Sequence, residues 1–75
     1  MNMINKESKI VKQFIVSVFE ATHKDWYVVH ALDMIGSEEN MLKIIEYIKD
    51  NKDIDWQDIE YNIIMLQPTL NEEDE

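Results

Sequence analysis

The stretch Gly36 to Asn51, GSEENMLKIIEYIKDN, constrains the fold most, because its start signal, periodicity and stop signal agree. Ser37 suits an N-cap, where its hydroxyl accepts a hydrogen bond from a free backbone N–H two or three residues on. Glu38 and Glu39 place negative charge against the positive end of the helix dipole. Met41, Ile44, Ile45 and Ile48 then recur at i, i+3, i+4 and i+7, which makes one apolar stripe. Glu39, Lys43, Glu46 and Asp50 fall on another side, with Glu39 four residues before Lys43 in the favourable order. A helix with defined inner and outer faces follows, and its four stripe residues are expected to be buried.

The rest of the chain is expected to supply helices that cover this stripe. Before it, Ile10, Val11, Phe14, Ile15, Val18 and Phe19 repeat in a heptad-like pattern, predicting a helix over residues 6–22. Val16 falls off that stripe, as a lone surface apolar residue or part of a contact with another chain. Asp25 to Ile35, DWYVVHALDMI, carries two signals. As a helix it has Asp25 for an N-cap and Gly36 just past its end, with Val28, Leu32 and Ile35 on one face. As a strand it has Trp-Tyr-Val-Val in a row. The Leu-Asp-Met-Ile-Gly ending and the lack of a hairpin partner favour the helix.

After the polar connector Asn51 to Asp55, Asp55 reads as an N-cap with Asp58 three residues on, a variant of the capping box. Ile54 and Ile59 are placed to form a hydrophobic staple. The last helix should run from Trp56 to Gln67 and stop at Pro68, because the residue before proline disfavours helical geometry. Its apolar residues occupy two sides: Trp56, Ile59, Ile63 and Leu66 on one, Tyr61, Ile64 and Met65 on the other. Such a helix is central to its bundle or shared with a partner.

The expected architecture is therefore all-α, a small antiparallel bundle of three to four short helices, the alternative being α+β with Trp26–Leu32 as a strand. Residues 1–68 form one helical domain, and 69–75 an acidic tail expected to be disordered. A chain of 75 residues buries little more than half its unfolded surface, for a stability of about 4–11 kcal/mol. With no Cys, neither disulfides nor thiolate metal sites contribute. Trp26, Tyr27, Tyr47, Trp56 and Tyr61 are expected mainly in the core, interface anchoring being their other common use. No segment approaches the roughly 20 apolar residues of a membrane span, and no signal-peptide pattern is present. A cytoplasmic protein that binds no membrane is expected. Eleven Ile, seven Lys and six Asn against no Arg and two Ala is the coding bias of an AT-rich genome, pointing to a low-GC bacterium or its phage.

Charge divides the chain. Residues 1–24 carry four Lys against Glu7 and Glu20, whereas residues 25–75 carry three Lys against fourteen acids; the total is −9. From Asp53 onward there are eight acids and no basic residue. Such a field repels nucleic acid and attracts basic surfaces. A helix-turn-helix reading of Met34 to Ser37 fails for the same reason, since its reading helix would open with Glu38 and Glu39 against the phosphates.

Chemistry finds little to work with. Ser8, Ser17 and Ser37 lie in no strained glycine-rich elbow, and one glycine cannot build a phosphate-cradling loop. The one grouping with ligand character is Glu20-x-x-His23 followed by His30-x-x-Asp33, since a Glu and a His three apart share a helical face. Zn²⁺ would be the ion to suit it. The alternative is His23 at a helix C-terminus, favoured there by the dipole, and His30 partly buried against Trp26 or Asp33. The latter is the expectation, with no metal, no cofactor and no catalysis. The function expected is a non-catalytic acidic module that regulates or inhibits a protein with a basic surface. A homo-oligomeric accessory protein is the alternative, and a metal-binding helical protein comes third. Asp55 and Asp58 are committed to capping, which leaves Asp53, Glu60 and the tail free to steer a partner. Tyr61, with Ile64 and Met65, is the expected short-range anchor.

Overall fold

The computed structural model describes residues 8–67, which form four helices: α1 (Lys9–Thr22), α2 (Asp25–Ile35), α3 (Glu38–Asp50) and α4 (Trp56–Leu66). They pack on one another as an all-α bundle, and no strand occurs among the described residues. Trp26–Leu32, the segment with a strand alternative, lies wholly within α2. Packing carries its β-branched Val28 and Ile35, which fall with Tyr27 and Ala31 on one buried helical face. The acidic tail 69–75 and Pro68 lie outside the described residues.

Local chemistry sets each helix end. Ser8 begins α1: its backbone is extended and its hydroxyl accepts the N–H of Ile10 at 3.1 Å. The helix therefore starts at Lys9, three residues later than the apolar pattern suggested. Its end is fixed by His23, whose backbone turns left-handed (φ 57°) and whose N–H returns to the carbonyl of Phe19. The chain then re-enters a helix after only Lys24. Lys24, not Asp25, is the N-cap of α2, and it offers no side-chain bond; Asp25 is the first helical residue. The two-residue turn leaves no room for Asp25 outside the helix. Thr22 secures this corner, donating its hydroxyl to the Val18 carbonyl (2.9 Å) and accepting the N–H of Lys24 (3.2 Å).

Ser37 caps α3 as expected, accepting the Asn40 N–H at 3.2 Å. Asp55 and Asp58 form the capping box of α4, with the Asp55 N–H donating to Asp58 Oδ2 at 3.0 Å. Gln67 is extended, as a residue before proline should be. The end of α2 needs help from elsewhere, because its last carbonyls have no helical donor. Asn40 donates to the Ile35 carbonyl (3.2 Å), and Gln67 donates across the bundle to the Met34 carbonyl (3.0 Å).

The core takes residues from all four helices: Val11, Phe14 and Val18; Tyr27, Val28, Ala31 and Ile35; Met41, Ile44 and Ile45; Ile59 and Ile63. Three residues of the α3 stripe are buried, while Ile48, at its end, is half-buried. On α1 the inward line runs Val11, Phe14, Val18 and Thr22, which leaves Phe19 exposed with its ring edge against His23. Ile54 and Trp56 pack at the margin of the core, of which Ile59 is a fully buried member.

Candidate interaction surface

α1 makes its largest interface with α3, and α2 lies beside α4. Three sets of contacts set the register of the second pair. Trp26 meets Trp56, Tyr27 and His30 meet Glu60, and Met34 meets Gln67. Numbers rise together on both helices, so α2 and α4 point the same way, as alternate members of an up-and-down chain do. Along their seam the Tyr27 hydroxyl donates to Glu60 Oε1 at 3.0 Å, and His30 Nε2 lies 3.3 Å from the same oxygen. Burial holds the Tyr27 phenol well above its ordinary pKa, and the hydrogen bond to Glu60 and its negative charge push the same way.

Glu60 Oε1 is thus engaged within the fold, while the side chain stays partly exposed and its charge adds to the field of this seam. It links two helices that sequence distance conceals. Asp53, in the α3–α4 connector, is exposed. Tyr61, Ile64 and Met65 also reach solvent, at 63%, 49% and 62%. Ile64 follows Glu60 by one turn, so this apolar strip borders the α2–α4 seam.

Two further apolar residues are exposed on α2, the helix beside α4. Trp26 (56% exposed) and Val29 (68% exposed) project from α2. Trp26 was expected in the core, and of the five larger aromatics only Tyr27 is fully buried there. The signal was present, since Trp26, Val29 and His30 stand at i, i+3 and i+4 off the stripe that carries Val28, Leu32 and Ile35. Trp26 is nevertheless held in place, edge-on to Trp56 (centroids 5.4 Å apart, planes at 71°) and to Tyr27 (5.7 Å, 85°).

The tertiary pairing also sorts charge. α2 contains Asp25 and Asp33, and α4 contains Asp58 and Glu60; neither contains a lysine. The helical lysines Lys9, Lys12, Lys43 and Lys49 all belong to α1 and α3. One pair of adjacent helices therefore presents only acids among its charges, interleaved with exposed Trp, Tyr and aliphatic side chains.

The metal-ligand candidates do not converge. Glu20 borders an open groove of about 460 Å³ between α1 and the end of α3, with Lys49 and Lys52 on the opposite wall. His23 packs on Phe19, His30 turns to Glu60 and Tyr27 rather than to Asp33, and Asp33 is exposed. Among the described residues no three His, Asp or Glu side chains form a group that could hold a metal ion. Nor is any described helix long and apolar enough to cross a membrane. No protein-family model, curated protein or solved structure matches this chain.

Proposed function

We propose that this protein is a non-catalytic interaction module that binds a protein with a basic surface through its α2–α4 face. One observation carries the reading: Trp26, Val29, Tyr61, Ile64 and Met65 are all exposed on two adjacent helices that have acids and no lysine. Large aromatics at the centre of a contact supply most binding energy, while surrounding charges steer the encounter. Asp53 and the acids of residues 72–75 add to the net negative charge of the chain and would act on association rate. Regulation or inhibition of the partner is the role such a module suits, since it can cover a basic surface that would otherwise meet nucleic acid.

Self-association through Ile64 and Met65 is the competing reading, favoured by their exposure and opposed by the like charge that two copies would bring together. Sedimentation at about 1 M and 0.05 M salt separates the two. A dimer that persists at high salt would replace the proposal, whereas a monomer at both supports a heteromeric contact, since screening shortens the reach of surface charge to roughly 3 Å at 1 M. For a basic partner, Tyr61→Ala should weaken binding by about 1–2 kcal/mol, mostly through faster dissociation. An unchanged Kd for both Tyr61→Ala and Ile64→Ala, in folded variants, would refute the assignment of this face.

A further inference from the structure

The aromatic cluster at the top of the α2–α4 seam says more about what the partner presents. Trp26, Tyr27 and Trp56 have ring centroids 5.4–5.7 Å from one another. Rings that close are in mutual contact, so no cation fits between them, and an enclosing cage for a methylated ammonium is excluded. Of the three rings, Trp26 is the exposed one. T-shaped contacts with two neighbours fix that indole, yet more than half of the residue faces water. A pre-set, exposed indole presents a flat, electron-rich platform that loses little freedom when something settles on it.

The charges around it select the sign of that ligand. Asp25 adjoins Trp26 in the chain, Asp33 lies two turns along α2, and Glu60 sits across the seam behind Tyr27 and His30, three acids against Lys24 at the N-cap of α2. The ligand must then be cationic, and planar to use the platform. A guanidinium is both: it stacks on an aromatic face while its N–H groups turn outward in the plane toward carboxylates. An ammonium has no plane to stack and holds its water more strongly.

Resting on the reading of the α2–α4 face above, we infer that the basic partner presents an arginine, whose guanidinium lies over Trp26 with the seam's carboxylates around it. The partner is therefore an arginine-bearing protein segment, and lysine in its place binds less well.

Two nine-residue peptides test this, one with four arginines spaced by Gly and Ser, the other with lysine at the same positions. Each is titrated into the full chain at about 0.05 M salt and followed by calorimetry and tryptophan fluorescence. The arginine peptide should bind roughly three- to fivefold tighter. Trp26→Ala should reduce that ratio to about one while the salt-dependent attraction persists, and Trp26→Phe, which keeps an aromatic face, should retain part of it. Circular dichroism of both variants establishes that they fold. Equal affinities of the two peptides for the native chain would overturn the arginine inference and leave the acidic face standing. Failure of both peptides to bind, or amide-shift changes confined to α1 and α3, would overturn the face as well.

Discussion

The phenol of Tyr27 on α2 donates to the carboxylate of Glu60 on α4, 33 residues away in sequence, at 3.0 Å. The tyrosine is fully buried, and the carboxylate stands at the edge of the seam where His30 shares the same oxygen. A hydrogen bond to a charged acceptor at such an edge contributes more than a neutral one, about 1.5–3 kcal/mol. Tyr27→Phe should therefore destabilise the protein by about 1–3 kcal/mol. In a double-mutant cycle with Glu60→Gln, measured by urea unfolding, a coupling near zero would show that the pair is not a fastening between α2 and α4.

The same contact sets an alkaline limit. In the folded chain the Tyr27 pKa is raised by burial and by Glu60 above the ordinary value of 10.0. A raised pKa means that the folded state keeps its proton where the unfolded state loses it. Stability from Tyr27 is thus complete below about pH 10 and declines as pH rises from there toward the folded pKa. Urea midpoints at about pH 8 and pH 11 should fall more steeply for the native chain than for Tyr27→Phe. Parallel slopes would contradict this, and the comparison removes the contribution of the other tyrosines and the lysines.

Two helix ends use left-handed backbone, with opposite consequences for glycine. Gly36 has φ 82° and ψ −30°, and an added Cβ would meet only the Met34 carbonyl oxygen at 3.9 Å. The cost of Gly36→Ala is therefore conformational, about 1–2 kcal/mol. His23, at φ 57°, carries a side chain where glycine would be unstrained. His23→Gly should gain about 0.5 kcal/mol, the relief of strain being partly offset by the lost edge contact with Phe19. Thermal melts should move in opposite directions for the two variants.

Thr22 gives the sharpest test of the α1–α2 corner. Its buried hydroxyl both donates and accepts, and the accepted N–H is that of Lys24, the cap of α2. Thr22→Val keeps the shape and removes both bonds, for an expected loss of about 1–3 kcal/mol in urea unfolding. A loss below about 0.5 kcal/mol would mean that the αL turn at His23 holds the corner unaided.

Much of the fold was legible in local chemistry. The Ser37 cap, the Asp55–Asp58 capping box, the extended Gln67 that ends α4 and the stripe Met41, Ile44 and Ile45 depend on residues within a turn or two of each other, where spacing alone decides which groups meet. The position of Tyr61, Ile64 and Met65 off the main apolar line of α4 was legible too, but it fitted either a central helix or an exposed strip, and all three are exposed. What spacing could not decide was which helices become neighbours. That choice commits Glu60 to Tyr27 and His30, turns Trp26 outward against Trp56, and separates Glu20 and His23 from His30 and Asp33. It also gathers the two lysine-free helices on one side. The reason is physical: an α-helix fixes its own side chains through bonds four residues long, but its partner is selected by how four apolar faces together fill one core. The contacts that pair α2 with α4 span about thirty residues, and no local pattern encodes them.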